Sequence, residues 1–298
     1  MTLEMTPLHP RFGMRVEGVD LSAVTAEIFA DIRAAFEAHS LLLFPGQDMD
    51  DAAHLALAGM FGPIEDRLAD ERKPGETYAV PEVSNIGAGG RVVAEDDLHM
   101  LNLRANMLWH ADSTFLPAPA LANLLIARQV TQTGGQTEFA STRAAFADMP
   151  PERQEDLRGR AFWHRYAHSR ARISRELAAL PMFHKWPEQL WRAVWRNPVN
   201  GREAVYVASH AYAVEGMEAR AGAEMIETLL EDVTRDEYVF SHTWNVGDVI
   251  VWDQRAVLHR ARPWDARAPR RLTSLCVSAT PADGREEMKP VGDFQPPP

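Results

Sequence analysis

The chain of 298 residues contains one cysteine, Cys276. That excludes an intramolecular disulfide framework and fits a reducing cytoplasm. Lying in the apolar run Leu272 to Val277, Cys276 reads as a small buried hydrophobe. No apolar stretch reaches the roughly 18 residues a membrane span requires, and Met1 to Arg15 holds no apolar core of signal-peptide length. Basic charge is in deficit: 31 Lys and Arg face 42 Asp and Glu, for a net charge of −11, and no long basic run occurs. Nucleic acid is therefore a poor partner. Internal repeats and a clear interdomain linker are lacking too, so residues 1–298 read as one domain.

What is present is a globular composition, 46% hydrophobic and 24% charged, sufficient for a sizeable core. Apolar spacing predicts helices over 26–39, 50–61 and 219–232 and two short ones over 141–149 and 151–158. Short strands are expected over 41–44, 137–139, 162–166, 204–208, 238–244, 249–252 and 272–279; residues 121–130 fit strand or helix. Many short strands without regular strand–helix alternation argue against a doubly wound parallel sheet. The fold class expected is mainly β with helices, built on a double-stranded β-helix or jelly roll. Residues 68–106 differ, being rich in charge, Gly and Pro and without periodicity. A long irregular segment in a compact domain is often a binding lid, so 68–106 reads as an active-site flap, with a disordered insertion as the rival.

The chemistry centres on Trp109-His110-Ala111-Asp112-Ser113-Thr114-Phe115. In an extended strand, residues two apart share a face, so His110 and Asp112 would present an imidazole and a carboxylate together. A third ligand is available in His259, which ends the run Ala256-Val257-Leu258 after the polar turn Asp253-Gln254-Arg255. Two His and one carboxylate leave open positions on a metal, the facial arrangement of non-haem Fe(II) oxygenases. A tetrahedral zinc site with the same ligands would serve a hydrolase, but no His-Glu-x-x-His helix supports that. The plainer alternative is Asp112 capping a turn and His110 hydrogen-bonded in the core. Arginines follow at 260, 262, 267, 270 and 271. Most read as surface charge, but Arg270 and Arg271 open an apolar strand, where a guanidinium suits an acidic cosubstrate. The basic segment 158–175 reads mainly as a solvated face, with a patch attracting an anionic substrate as the minority reading. The aromatic-rich stretch 162–195 reads chiefly as core.

These residues resemble the TauD/TfdA family of Fe(II)- and 2-oxoglutarate-dependent dioxygenases. The resemblance runs from Leu43-Phe44-Pro45-Gly46-Gln47 through the His110 stretch, Gly134-Gly135-Gln136-Thr137-Glu138-Phe139, Val214-Glu215-Gly216-Met217 and Trp244-Asn245-Val246-Gly247-Asp248 to Val251-Trp252-Asp253-Gln254-Arg255 and His259-Arg260-Ala261. It implies a jelly roll, Fe(II) held by His110, Asp112 and His259, and 2-oxoglutarate held at its distal carboxylate by Thr137 and Arg270. The residues alone do not choose between Arg270 and Arg271; the family's spacing from the distal His implies Arg270. It implies that O2 and 2-oxoglutarate are consumed, succinate and CO2 released and a C–H bond of a small organic substrate hydroxylated. Asp112 argues against halogenation, since related halogenases carry a small residue there. Family members are often dimers or tetramers, so a homo-oligomer is expected.

The chain also departs from the pattern. Relatives acting on taurine or aryloxyalkanoates place an Arg four residues after the cosubstrate Arg; here that position is Ser274. Arg271 lies beside Arg270 but along a strand points to the opposite face, so a neutral, bulkier or differently oriented substrate and an acid held by another residue stay equally open, with Arg271 kept as a candidate contact. Asn106 and His210 match family positions near the substrate, against readings as a turn Asn and a core His. A zinc hydrolase and a non-catalytic jelly-roll binding protein stand as the competing functions.

Overall fold

Thr25 caps the N-terminus of helix Ala26–His39 by accepting from the Ile28 amide, and Ser40 ends it in a left-handed conformation with φ 64°. The chain then enters strand Leu41–Phe44, where all four side chains are buried. A continuous apolar strand needs cover on both faces, and alternate residues here supply two separate cores. Leu42 and Phe44 pack with Phe36, Leu57 and Phe61 under the helices. Leu41 and Leu43 join Phe139, Ile250 and Trp252 in the interior. The computed structural model describes residues 3–73, 75–87 and 89–297; Met1, Thr2, Pro74, Ala88 and Pro298 lie outside them.

The same two-residue period organises the neighbouring strands. The principal sheet has seven strands, in the order Glu4–Pro7, Met14–Glu17, Leu41–Phe44, Val249–Asp253, Ala120–Gln129, Arg271–Ser278 and Glu82–Ser84. Val249, Val251, Leu124, Ile126, Leu275 and Val277 face the helix-covered core. Ile250, Trp252, Leu125 and Leu272 face inward. A smaller sheet, Val239–His242, Thr137–Ser141 and Val257–Ala261, lies opposite, adding Phe139 and Val257 to the inner core. The molecule is thus mostly sheet with helices outside, as a jelly-roll core requires. Burying each such Leu or Phe contributes roughly 1.5–3 kcal/mol. A further small sheet of Ala161–His164, Gln189–Arg192 and Ala211–Val214 packs beside helix Ala219–Val233. No helix among the described residues is long and apolar enough to cross a membrane.

Several expectations change. The ambiguous stretch 121–130 is strand Ala120–Gln129. The strand expected over 204–208 shortens to Glu203–Val205. Residues 68–106 are not structureless: Glu82–Ser84 closes the edge of the principal sheet on Arg271–Thr273, and Leu98–Ala105 is a helix capped by Asp97. Neither element has the length or amphipathic contrast that periodicity detects. The polar turn Asp253-Gln254-Arg255 is almost wholly buried.

Candidate active site

His110 and His259 meet in an isolated antiparallel bridge that joins the chain after helix Leu98–Ala105 to strand Val257–Ala261. The His110 amide donates to the His259 carbonyl at 3.0 Å and the His259 amide to the His110 carbonyl at 2.8 Å. The strand expected through 110–112 stops at this bridge. Beyond Ala111 the chain turns, with Ser113 left-handed at φ 60°, and Asp112 is presented from the turn. The outcome is still convergence: one ligand atom from each of His110, Asp112 and His259 lies within 4.8 Å of the others. His110 Nε2 is 3.8 Å from Asp112 Oδ1, and His259 Nε2 is 3.7 Å from Asp112 Oδ2.

The surroundings fix the charge of each group. His110 Nδ1 lies 2.7 Å from the Leu108 carbonyl, which can only accept; Nδ1 therefore carries the proton and Nε2 keeps its lone pair. Burial pushes His110 below the ordinary imidazole range, and burial with the neighbouring His110 pushes His259 down to about 3. Burial acts to raise Asp112, but the imidazoles of His259 and His110, the Asn123 amide and Arg67 outweigh it and hold the carboxyl at about 2. Asn123 Nδ2 and Gln254 Nε2 both donate to Asp112 Oδ2, at 2.8 and 2.6 Å. Gln254 Oε1 also accepts from the Asp112 amide at 3.0 Å. Two neutral imidazoles and an ionised carboxylate with Oδ1 outside these hydrogen bonds fit a divalent metal with open positions. His259 Nδ1 is buried without a hydrogen-bond partner, so its tautomer is not held as that of His110 is.

Arg270 lines the same cavity, with Thr137, Leu125 and Leu272. Its side chain is 3% exposed. Nη2 donates to the Gly135 carbonyl at 3.0 Å, and the guanidinium lies 5.0 Å from the Trp264 ring centre. No carboxylate pairs with it among the described residues, and burial alone pushes it down to about 10. An unpaired buried cation is costly, so a carboxylate in this cavity would supply a missing counter-charge. Asn85 clamps the Arg270 backbone through both amide and carbonyl, which gives the segment before the site an ordering role. Thr137 Oγ1 accepts from Trp244 Nε1 at 2.9 Å, leaving the hydroxyl proton free to donate into the cavity. Gly135, at φ 69°, leaves room for the arginine: a Cβ there would meet Arg270 Nε at 3.1 Å.

The remaining candidates separate. Asn106 and Ser274 line the cavity. Ser274 Oγ donates to Asn123 Oδ1 at 3.0 Å, so it braces the amide that holds Asp112. His210 is buried beside the site, its Nδ1 3.3 Å from Thr114 Oγ1 and its ring 6.4 Å from that of His110. Arg271, named as a possible substrate contact, is on the surface and pairs with Glu82 at 3.4 Å. One residue along a strand sends it to the face away from the cavity. Cys276 is only partly buried, and its sulfur accepts from Asn123 at 3.4 Å. Sequence reasoning missed Asn123 and Gln254. Asn123 carried a signal, being the one polar residue in the run Leu121 to Ala127.

The family of taurine catabolism dioxygenase TauD and TfdA matches residues 4–276. An alpha-ketoglutarate-dependent 2,4-dichlorophenoxyacetate dioxygenase of Cupriavidus pinatubonensis is 34% identical over 276 residues, 91% of this chain and 96% of that protein. A (S)-phenoxypropionate/alpha-ketoglutarate-dioxygenase of Delftia acidovorans is 33% identical over 278 residues, 90% and 92% of the two chains. The crystal structure of AAD-2 in complex with Mn(II) and N-oxalylglycine superposes with a TM-score of 0.88 at 31% identity, covering 94% of this chain and 99% of that one. Matched along nearly its whole length in sequence and in fold, the chain belongs to the TauD, TfdA family and is an alpha-ketoglutarate-dependent dioxygenase.

Proposed function

We propose that the protein hydroxylates an unactivated C–H bond of a small organic substrate using Fe(II), O2 and 2-oxoglutarate. One oxygen atom enters the substrate and the other enters succinate, with CO2 released. The observation that carries this reading is Arg270, a buried guanidinium without a counter-charge in the cavity lined by His110, Asp112 and His259. A keto diacid supplies both what the arginine lacks and what an open metal face accepts. The named relatives act on 2,4-dichlorophenoxyacetate and (S)-phenoxypropionate, which supports a small organic molecule as substrate.

In this reading the metal is held by Nε2 of His110, Nε2 of His259 and the Asp112 carboxylate. When bound, Fe(II) with 2-oxoglutarate supplies the activation of O2. The chain's own residues do the rest. The Leu108 carbonyl keeps His110 in the metal-binding tautomer. Asn123 and Gln254 keep Asp112 ionised and oriented. Arg270 and Thr137 anchor the distal carboxylate of 2-oxoglutarate, and Leu125, Leu272 and Trp252 keep that end dry. The helix Leu98–Ala105 and the segment around it act as a flap, with Asn106 on the cavity wall. His210 and Ser274 stand near the substrate, Ser274 mainly through Asn123. A homo-oligomer, dimer or tetramer, is expected and is read by light scattering after size exclusion; a cytoplasmic location is expected as well.

The test is an aerobic assay with Fe(II), ascorbate and 2-oxoglutarate across a panel of small organic substrates, scored by succinate release. An anaerobic iron-to-2-oxoglutarate charge-transfer band is read in parallel. Succinate coupled to a hydroxylated product is expected. Absence of both band and substrate-dependent succinate overturns the proposal, and hydrolysis supported by zinc alone would favour the hydrolase instead.

A further inference from the structure

Four arginines are buried among the described residues: Arg143, Arg170, Arg255 and Arg270. Arg143 and Arg255 pair with Asp253, and Arg255 also with Glu37. Among the described residues neither Arg270 nor Arg170 has a carboxylate in an ion pair with it. A solvated face was the expectation for the segment holding Arg170, and Arg158, Arg160, Arg165 and Arg172 do sit there in partly exposed ion pairs. Arg170 does not: it is 7% exposed and turned inward from helix Tyr166–Ala171.

Every hydrogen-bond partner of Arg170 among the described residues is neutral. Nε donates to Asn102 Oδ1 at 3.1 Å, Nη1 to Ser169 Oγ at 2.8 Å and Nη2 to the Tyr166 hydroxyl at 3.4 Å. The guanidinium lies 4.5 Å from the Tyr166 ring centre. A second guanidinium converges on the same phenol: Arg67 Nη1 is 3.5 Å from the Tyr166 hydroxyl, and its Nη2 donates to Ser113 Oγ at 3.0 Å. Arg67 already holds Glu65, whereas the carboxylate whose charge reaches Arg170 is Asp112, with which it makes no direct ion pair. Tyr166 stacks on Phe115 at 3.8 Å, and both rings flank His210, which in turn lies against His110. Arg170 therefore sits on the side of the metal ligands reached through Phe115 and His210, whereas Arg270 contacts Gly135 and Trp264. Its contact Asn102 is on the flap helix, one turn before Asn106 on the cavity wall.

We infer that Arg170, with Arg67 beside it, anchors an anionic group of the primary substrate, a carboxylate or sulfate, which replaces Asn102 on the guanidinium. This rests on the proposed function and names the class of its substrate. It also accounts for Ser274. The strand position from which other members reach a substrate anion here supports Asn123, and the positive charge comes instead from helix Tyr166–Ala171, behind Phe115 and His210. Because Asn102 is on the flap helix, exchange of its amide for the anion couples substrate binding to the position of that helix.

The test uses the anaerobic complex with Fe(II) and 2-oxoglutarate, and the perturbation of its charge-transfer band as the binding readout. The probes are 2,4-dichlorophenoxyacetate, (S)-2-phenoxypropionate and hexyl sulfate, each beside a neutral counterpart: the two primary amides and hexanol. At least one acid is expected to perturb the band saturably while its neutral counterpart binds at least tenfold more weakly. Arg170→Gln is expected to raise the acid's Kd tenfold or more, and Arg170→Lys to restore part of the loss. The 2-oxoglutarate concentration giving half the band should be unchanged in both. Equal binding of acid and neutral probe by the wild-type protein overturns the inference without any variant. So does an unchanged acid Kd in Arg170→Gln, or a band that no acid perturbs, and in these cases the iron and 2-oxoglutarate reading survives. Failure of the band itself in the wild-type protein removes that reading and this one with it.

Discussion

His110 and His259, 149 positions apart, exchange both backbone hydrogen bonds of one antiparallel bridge, and their rings lie 4.1 Å apart. The backbone, not the side chains, sets this approach. Removing either imidazole should therefore leave the bridge standing and delete only a proposed metal ligand. His110→Ala, His259→Ala and Asp112→Ala are each expected to weaken Mn(II) binding more than a hundredfold, followed by the free-ion paramagnetic resonance signal. Circular dichroism should stay that of the parent. Mn(II) affinity within tenfold of the parent in any of the three would remove that residue from the ligand set.

Arg270 and Arg271 are chain neighbours with opposite fates. Arg270 is buried and unpaired, whereas Arg271 is exposed and pairs with Glu82 at the surface, where such a pair contributes roughly 0–1 kcal/mol. Arg270→Ala should raise the half-saturating 2-oxoglutarate concentration about a hundredfold, as losing charge-assisted hydrogen bonds of roughly 1.5–3 kcal/mol implies. Arg271→Ala should change it less than twofold. Gly135→Ala probes the same contact from the other side. The new methyl would press on Arg270 at a left-handed position, and a weakening of about tenfold is expected. Equal effects at 270 and 271 would contradict the assignment.

Asn123 and Ser274 test the support of Asp112. Loss of an outer hydrogen bond to a metal ligand typically costs about 10–100-fold in affinity. Asn123→Ala should fall in that range by titration with Mn(II). Ser274→Ala removes only the brace on Asn123 and should cost less. If Ser274→Ala costs as much as Asn123→Ala, Ser274 has a direct role that its hydrogen bond does not explain.

The parts of this site that were legible in sequence are those whose chemistry is visible residue by residue. His110, Asp112 and His259 are ligand types beside apolar runs, and the buried strands Leu41–Phe44 and Val249–Asp253 announce themselves by composition. The element joining His110 to Asp112 was misjudged, because a strand and a turn both bring residues two apart together and only the positive φ of Ser113 separates them. Burial of polar residues was the larger blind spot. Gln254 and Arg255 look like a solvated turn until the partners on Asp112 and Glu37 are in view, and those partners are more than 100 positions distant. Arg170 was hidden among five similar arginines for the same reason.

Buried histidines give the protein an acid limit. His54 is enclosed, with Nε2 3.1 Å from the Leu124 carbonyl, and burial pushes it down to about 4. The unfolded chain takes up a proton near pH 6.5, but the folded chain does so only near 4. This contribution to stability is thus fully present above about 6.5 and is lost as the pH falls towards 4, to the extent of about 3 kcal/mol. In urea titrations of the metal-free protein, unfolding free energy should decline from pH 6.5 to 4.5. In His54→Gln the slope should be shallower by up to one proton. An unchanged slope would mean that His54 titrates normally.

The last prediction concerns Arg255, which is 2% exposed. It binds Asp253 through Nε at 2.8 Å and Glu37 through Nη2 at 2.6 Å, tying the turn before His259 to helix Ala26–His39. Arg143 holds the other Asp253 oxygen at 3.2 Å. Taking Arg255 from this buried network leaves Asp253 with Arg143 alone and Glu37 with Arg33 alone, at a cost of up to about 3–5 kcal/mol. Arg255→Met should therefore lower stability by that amount, read from the urea midpoint. It should also weaken Mn(II), because Gln254, which holds Asp112, is its chain neighbour on the same turn. Glu37→Gln leaves Arg255 with Asp253 and should destabilise less, with metal affinity preserved. Metal affinity lost equally in both variants would show that the network acts on the site through overall stability rather than through the turn.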